Sequence, residues 1–286
     1  MLNLSIEEFK KELWRDQKSE STIKNYSNAV NDLFDYFKLK GKGYHFTKDD
    51  ILLYLETLKI KYSCKGTINN KLNGINKYLK KSNLTKFCIK LLKVKKQAFL
   101  HDDEIYTDRE VELILNEAKK LKNKRLYLVF RILLQTGIRI FEMEFITYEA
   151  LLKGEAFVYN KDKEREVPIP PDLCKILLEY CKEQNITSGT VIRTRNNIRV
   201  HRSYLYRQIH RFIIKLGIEK NKAHPHTFRH KFAIDYLKAH GEESIYNLAD
   251  ILGHDRVETT RIYLRKPLSE IRESMTLEKL GIKIAS

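Results

Sequence analysis

Two separated segments of the sequence hold arginine and histidine side chains in spacings that suit chemistry on a phosphate group. The first contains Arg139, whose planar guanidinium matches phosphate oxygens, with Glu142 three positions later. The second contains His226 and Arg229, which are three residues apart and would share one face of a helix. A cation beside a titratable proton carrier is the pairing that a phosphate site needs.

A third segment, which runs from Leu252 to Tyr263, adds a candidate nucleophile. Gly253 is placed to end a helix, and His254 would lie in the connection that follows. A tyrosine phenol can attack phosphorus, but most of the 16 tyrosines are expected to be core or rim residues. The case for Tyr263 therefore rests on its spacing from His254. The second segment holds three histidines but no Asp, Glu or Cys, so we expect no metal site.

Helical spacing of apolar residues dominates the first hundred positions, and we predict an all-α domain over residues 1–95. One helix covers Thr22–Phe37, and Thr47 with Asp50 has the pattern of a capping box that starts a second helix. The apolar stripe of the second helix would be Ile51, Leu52, Leu55 and Leu58. A third helix would place inward Ile68, Leu72, Ile75 and Leu79. A short fourth helix is expected near Leu84–Leu92.

A second domain is predicted over residues 107–286, after a polar linker at residues 96–106. Thr107 and Glu110 have capping-box spacing, and the helix that they start has an apolar face ending at Leu121. Leu126–Thr136 is apolar on nearly all sides, which indicates a buried central helix. Gly137 is suited to end that helix.

The middle of this domain changes to the pattern of strands. Ala156–Tyr159 and Arg165–Ile169 are strand-like and flank a polar turn over residues 160–164. Ser203 is expected to cap a later helix that runs through Leu216. The predicted fold class is mainly α with a small antiparallel β-sheet, in which an all-α N-terminal domain precedes an α+β domain.

Positive charge is concentrated in two stretches of the sequence. The formal net charge of +17 favours a polyanionic partner. Residues 57–101 contain twelve lysines and no acid, and residues 184–218 contain seven arginines or lysines and no acid. Each stretch is typical of a phosphate-facing surface, the alternative being a solvated cationic face. The predicted contacts are Lys71, Lys77, Lys80 and Lys81 on the third helix and Arg207, Arg211 and Lys215 on the later one.

The sequence favours a reducing compartment without a membrane. No run of 18 apolar residues is present, and the N-terminus lacks the long apolar region of a secretory signal. The four cysteines form no C-x-x-C pair. We therefore expect a cytoplasmic protein.

Taken together, these segments resemble the tyrosine recombinase family of the integrase and Xer type. Arg139 and Glu142 match its Arg-x-x-Glu motif, and residues 226–229 match its His-x-x-Arg motif. Residues 252–254 followed by Tyr263 match its Leu-Gly-His motif and the spacing to its tyrosine. The motifs occur in the family's order, and the resemblance covers roughly residues 106–280.

The resemblance extends to the strand-like hairpin, which carries the family's catalytic lysine. Residues 167–170, Val-Pro-Ile-Pro, match the second strand of that hairpin. The turn is about one residue shorter than usual, so the lysine is ambiguous: we favour Lys161 and keep Lys163 as the rival. Phe228 stands where leucine is usual, which is an apolar replacement.

The resemblance implies a nucleophile and two phosphate-binding cations. Tyr263 would attack the scissile phosphate of DNA, form a 3′-phosphotyrosyl bond and free a 5′-hydroxyl. Arg139 and Arg229 would hold the non-bridging oxygens and favour the more charged transition state.

The remaining matched residues would transfer protons, hydrogen-bond the phosphate or hold other side chains in place. His226 would assist the removal of the tyrosine proton, and His254 would donate a hydrogen bond to the phosphate. Lys161 would protonate the leaving oxygen, and Glu142 would brace an arginine or a backbone turn. Two arginines and a lysine can replace metal ions, so we expect no metal and no nucleotide cofactor.

The resemblance also implies an assembly. The chain would be a monomer in solution, and four subunits would synapse two double-stranded DNA sites and exchange strands through a Holliday junction. The tail, Leu268–Ile284, would dock on a neighbouring subunit or pack on its own domain. The alternatives are a type IB topoisomerase-like enzyme and a catalytically silent DNA-binding protein on the same fold. The target sequence, the biological role and any accessory protein are left open by these patterns.

Overall fold

A computed structural model describes residues 4–43, 45–94, 104–160, 163–194, 196, 198–265, 272, 275, 276 and 279, with only the backbone of Asn160 and Lys163. The chain divides into two compact units, Met1–Lys96 and Gln97–Ser286. Among the described residues, every helix is too short or too polar to span a bilayer.

The described residues of the first unit form four α-helices around an apolar core. They are α1 (Ile6–Arg15), α2 (Glu20–Leu39), α3 (Lys48–Lys61) and α4 (Lys65–Lys81). The capping box of Thr47 and Asp50 is confirmed at the start of α3, with both of its hydrogen bonds present. The inward residues predicted for α4 are all buried. The prediction for Leu52 is wrong, because this side chain is 40% exposed and Tyr54 is buried instead.

The predicted fourth helix of this unit is also wrong. Only Thr85–Phe87 forms a short 3₁₀ turn, and the chain after it is held to α4 by two asparagine side chains. The Asn76 amide donates to the Ile89 carbonyl at 2.7 Å and accepts from the Ile89 N–H at 2.9 Å. Asn69 makes the same pair of bonds with Leu92. These side chains satisfy backbone groups that a helix would otherwise use.

The second unit has eight α-helices among its described residues and one antiparallel hairpin. The helices are α5 (Asp108–Lys119), α6 (Arg125–Thr136), α7 (Tyr148–Lys153), α8 (Pro171–Glu183), α9 (Arg202–Lys215), α10 (Pro225–His240), α11 (Ile245–Leu252) and α12 (Val257–Thr260). Strands β1 (Glu155–Asn160) and β2 (Lys163–Pro168) pair so that Glu155 faces Pro168 and Asn160 faces Lys163. The predicted fold class is confirmed, although the strands extend further into the predicted turn.

Helix α6 lies at the centre of this unit's core. Its Phe130 stacks on Phe228 of α10 with ring centroids 5.1 Å apart. Tyr106, which the sequence assigns to the linker, is buried in the same core and donates a 2.6 Å hydrogen bond to the Lys222 carbonyl. Leu121 lies beyond the end of α5 and is 39% exposed, so it does not belong to the predicted apolar face.

The C-terminal ends of two helices position two of the candidate active-site residues. Gly137 ends α6 and Gly253 ends α11, both in the left-handed conformation that glycine adopts without strain. The chain then turns directly into Arg139 and His254. The predicted cap of α9 is wrong: His201 precedes the helix and accepts a hydrogen bond from the Ser203 N–H.

Candidate active site

Arg229 is the buried cation around which the site is organised. It is 1% exposed, and its guanidinium donates to the carbonyls of Gly137, at 2.7 Å, and Leu252. These carbonyls lie at the C-terminal ends of α6 and α11, where helix dipoles favour positive charge. Its Nε is buried without a hydrogen-bond partner among the described residues. One arginine of α10 therefore joins two helix ends and keeps one donor unused.

His254 lies directly against this guanidinium. Its Nε2 is 3.1 Å from a terminal nitrogen of Arg229, and its Nδ1 is 2.8 Å from the hydroxyl of Thr260. An arginine can only donate, so Nε2 accepts and the proton resides on Nδ1, which donates to Thr260. Thr260 is fully buried and was not singled out from the sequence. It sets the ring orientation of His254.

Arg139 is the more accessible of the two predicted phosphate-binding arginines. Its side chain is 26% exposed, and it donates to Glu142 at 3.1 Å and to the Gly253 carbonyl at 3.4 Å. The Arg139 backbone N–H also donates to Glu142 at 2.7 Å. Arg139 is therefore anchored by its backbone and one hydrogen-bonded edge, while part of its guanidinium faces solvent.

The carboxylate of Glu142 is fully buried and shared between two arginines. Arg165 of β2 donates to its two oxygens at 2.9 and 2.7 Å. Burial alone would raise the pKa of Glu142, but these hydrogen bonds and the Arg139 N–H hold it below its ordinary value. Glu142 is therefore an anion that braces Arg139, and Arg165 is its main partner. Arg165 was not predicted from the sequence, because it lies between two acids at the start of the second strand-like run.

Tyr263 lies at the edge of this cluster and is 7% exposed. Its ring stacks near His254 with centroids 6.4 Å apart and meets His230 edge-on at 5.4 Å. Burial raises the pKa of its phenol, while the positive charges of Arg229 and Arg139 act in the opposite direction. The phenol is therefore protonated at neutral pH in this state.

His226 is exposed to solvent, and its described ring contact is with His230, at 4.5 Å between centroids. Its pKa is lowered to about 4, first by desolvation and then by His230 and Arg229, although water at its exposed face screens part of this effect. Burial and then Arg229 lower the pKa of His254 to about 4. Both rings are therefore neutral at pH 7.

Arg139 borders two depressions of the surface. One, of about 790 Å³, is bordered by Arg139, Arg165 and His254. The other, of about 320 Å³, is bordered by Arg139, His226 and Arg229. Arginine side chains thus border both depressions, the first of which is also bordered by acids. No cluster of three or more potential metal ligands occurs among the described residues.

Six predicted residues therefore lie together in one site. They are Arg139, Glu142, His226, Arg229, His254 and Tyr263. Lys161 lies outside the described residues, as does most of the tail Leu268–Ile284, and the side chain of Lys163 is likewise not described.

The lysines of α4 are largely paired with acids from other helices. Lys71 contacts Asp32 at 2.5 Å. Lys77 contacts Asp16 at 2.7 Å, and Lys81 contacts Asp16 at 3.0 Å and Glu12 at 3.1 Å. The acid-free stretch of sequence is therefore not an acid-free surface, because α1 and α2 supply the carboxylates. Lys80 is exposed and has no ion pair among the described residues.

The cations of α9 differ from those of α4. Arg207, Arg211 and Lys215 are all exposed, and none forms an ion pair with another described residue. They recur every four residues and so lie along one side of the helix. Arg207 also borders a third depression, of about 570 Å³, together with Tyr206 and Ile140. Tyr206 and Ile140 in turn border the depression that contains His226.

Comparison with known proteins places this site in a family. Residues 104–269 match the model of the phage integrase family, and residues 6–85 match the phage integrase N-terminal SAM-like domain. The tyrosine recombinase XerA of Pyrococcus furiosus is 26% identical over 277 residues, 94% of this chain and 92% of that protein. XerA of Pyrococcus horikoshii is 25% identical, over 96% of this chain and 93% of the relative. The chain therefore belongs to the phage integrase family.

Solved structures share the fold. XerH bound to a palindromic difH substrate in a post-cleavage complex is 19% identical with a TM-score of 0.70, over 95% of this chain and 84% of that one. A lambda integrase tetramer bound to a Holliday junction is 16% identical with a TM-score of 0.70, over 91% and 77% of the two chains. Family membership confirms the class of enzyme predicted from the sequence, a tyrosine site-specific recombinase.

Proposed function

We propose that this chain cuts and rejoins DNA through Tyr263, which attacks a phosphodiester and forms a 3′-phosphotyrosyl bond. The observation that carries the proposal is the arrangement of Arg139, Arg229 and His254 around the tyrosine. Arg139 and Arg165 pair with the buried carboxylate of Glu142, and Arg229 lies against His254, so this hydrogen-bonded cluster holds two more guanidinium groups than carboxylates. That excess charge suits a dianionic phosphorane transition state.

In the proposed cleavage, the phenol oxygen of Tyr263 forms a bond to phosphorus as the bond to the 5′-oxygen breaks. His226 accepts the phenol proton, which its neutral ring permits at pH 7. In the present conformation His230 contacts both rings, so Tyr263 moves toward His226 or passes its proton through His230. His254 would turn its Nε2 from Arg229 to the phosphate, and the Thr260 hydroxyl suits either tautomer because it both donates and accepts.

The leaving 5′-oxygen takes a proton from the hairpin, for which Lys161 remains the proposed donor and Lys163 the rival. The phosphotyrosyl bond conserves the energy of the phosphodiester, so a second 5′-hydroxyl can reverse the reaction without ATP. Arginine and lysine supply the charge that metal ions provide in other phosphoryl-transfer sites. The proposed reaction therefore uses no metal and no nucleotide cofactor.

The proposed partner is double-stranded DNA, contacted by the free cations of α9 and by α4 of the first unit. The XerH structure is bound to a difH substrate, and the lambda integrase structure is a tetramer bound to a Holliday junction. Both support a tetramer on DNA for this chain as well. The domain division at residues 95 and 107, a cytoplasmic location, and a tail that docks on a neighbouring subunit or packs on its own domain belong to the same proposal.

Covalent capture tests this function. The protein is incubated with fragmented DNA from its source genome, and adducts that survive denaturation are isolated and their DNA sequenced. Tyr263→Phe should abolish adducts and retain DNA binding, whereas Tyr246→Phe, at a residue 67% exposed, should behave as wild type. Adducts that persist in Tyr263→Phe would contradict the proposal.

A second assay separates recombination from relaxation of DNA. Two labelled duplexes that carry the recovered site are incubated with the protein, and joined products are resolved by size. A recombinase yields products that combine both labels. A topoisomerase-like enzyme would relax supercoiled plasmid and return each strand to its original partner.

A further inference from the structure

Arg165 makes three hydrogen bonds that join separate parts of the site. Its terminal nitrogens donate to the two oxygens of Glu142, and its Nε donates to the Ile251 carbonyl at 2.9 Å. We propose that Arg165 is a positioning residue of the cleavage reaction, which holds Arg139 and His254 at the spacing that one phosphate requires. This inference rests on the proposed function.

On one side, Arg165 is the main ion-pair partner of Glu142. Its planar fork reaches both carboxylate oxygens, at 2.9 and 2.7 Å, the arrangement in which an arginine–carboxylate pair is strongest. Arg139 has a single side-chain bond to the same carboxylate, at 3.1 Å. Without Arg165, Glu142 would draw the Arg139 guanidinium into the vacated position. Arg165 therefore keeps the charge of Arg139 available to a phosphate.

On the other side, Arg165 packs against the segment that presents His254. A methyl group added to Gly253 would lie 2.7 Å from Cδ and 3.0 Å from Nε of Arg165, so the arginine occupies the space of a normal side chain. The Ile251 carbonyl, to which Nε donates, is two residues before Gly253. The side chain of Arg165 thus fixes the end of α11 from which His254 emerges.

The two contacts make Arg165 a spacer between the two phosphate-facing groups. Arg139 itself donates to the Gly253 carbonyl at 3.4 Å, which closes a ring of contacts through Glu142, Arg165 and Gly253. The Arg165 side chain is 12% exposed, and its fork points to Glu142. Displacing a group by about 1 Å can reduce a rate by about 100-fold, so a loosened ring should affect chemistry more than DNA affinity.

The test uses single-turnover cleavage of a synthetic duplex that carries the site recovered with the wild-type protein. Arg165→Met should cut about 100-fold more slowly, with DNA affinity changed by less than about threefold. Arg165→Lys should recover only part of the rate, because a lysine has no fork. The control is Arg131→Met, which removes an arginine–carboxylate pair with Asp172 outside the site. A wild-type cleavage rate in Arg165→Met overturns the inference, whereas absence of adducts in the wild-type protein refutes the proposed function.

A second substrate distinguishes positioning from general support of the fold. In this duplex a methyl group replaces one non-bridging oxygen of the scissile phosphate, which removes the charge that Arg139 stabilises. The rate defects of Arg165→Met and Arg139→Ala should then shrink by a similar factor. If the defect of Arg165→Met is the same on both duplexes, Arg165 only supports the fold and the inference is wrong. If Arg165→Met does not fold, Arg165→Lys takes its place in the comparison.

Discussion

The ring of Tyr263 packs edge-on against the imidazole of His230, with the two centroids 5.4 Å apart and an interplanar angle of 60°. His230 also contacts His226, at 4.5 Å, and its Nδ1 is buried without a hydrogen-bond partner among the described residues. Burial, and then the neighbouring His224 and Arg229, lower its pKa to about 4. A neutral imidazole therefore packs against the ring of the proposed nucleophile.

This contact predicts sensitivity to acid. The folded-state pKa of His230 lies below its ordinary value of about 6.5, so the unfolded chain binds the proton first. The contribution of His230 to the unfolding free energy is therefore fully present above pH 6.5. It is lost as the pH falls from 6.5 through about 4, by up to about 1.4 kcal/mol per pH unit. His230→Phe should flatten the dependence of the unfolding free energy on pH, measured with urea at pH 7, 5.5 and 4.5.

The control for the acid experiment is His240→Phe, because His240 is exposed at the end of α10. It should leave the pH dependence unchanged. His254, whose pKa is lowered in the same direction, should retain its own share of the slope in both variants. An unaltered slope in His230→Phe would show that His230 is not held neutral by the fold.

Substitutions at two glycines test the packing of Arg165 on the C-terminal end of α11. Gly253 and Gly154 both have a positive φ, +62° and +79°, but only Gly253 has a neighbour where a Cβ would be. Gly154→Ala should cost about 1–2 kcal/mol, because alanine is strained in the left-handed conformation. Gly253→Ala should cost about 1–3 kcal/mol more, because it displaces Arg165, and it should reduce cleavage. Equal unfolding free energies in the two variants would contradict this packing.

The sequence predicted the residues that would contact the phosphate better than the residues that hold them in place. Arg139, His226, Arg229 and His254 lie together as expected, because helix ends marked by Gly137 and Gly253 direct the chain back to one place. Arg165 was not predicted, because its partner Glu142 is 23 residues away and acids flank it on both sides. A contact between distant positions leaves no periodic signal in one sequence.

The first unit shows the same limit. The apolar spacing of Leu84–Leu92 suggests a helix, but Asn69 and Asn76 on α4 satisfy the backbone groups of that segment instead. Likewise, the acid-free stretch that contains Lys77 and Lys81 predicted a bare cationic surface. The carboxylates of Glu12 and Asp16, at the C-terminal end of α1, reach it from 69 and 65 residues before Lys81.

These ion pairs predict that α1 weakens DNA binding by α4. Lys77, and then Lys81, lower the pKa of Asp16 to about 2, so its charge persists at neutral pH. Glu12→Gln with Asp16→Asn should free Lys77 and Lys81, tighten binding and steepen the salt dependence by about 0.9 in log–log slope for each lysine that reaches a phosphate. Glu20→Gln, an exposed acid at the start of α2, serves as the control. Unchanged affinity in the double variant would exclude these lysines from the interface.

The exposed cations of α9 predict the opposite effect: removing one of them should weaken DNA binding. Arg207→Ala should weaken binding to all DNA sequences by a similar factor and reduce the slope of log K against log salt by about 0.9. Lys119→Ala, an exposed lysine at the end of α5, should leave the slope as in the wild type. A slope unaffected by Arg207→Ala would place this face of α9 away from the DNA.

Mass spectrometry of the DNA-linked peptide tests the central claim most directly. The covalent adduct is digested with nuclease and protease, and the amino acid that carries the remaining nucleotide is identified. The arrangement of Arg139, Arg229 and His254 predicts a single modified residue, Tyr263, and the family resemblance implies that it is esterified to a 3′-phosphate. A nucleotide on any other tyrosine, or a 5′-phosphate at Tyr263, would contradict it.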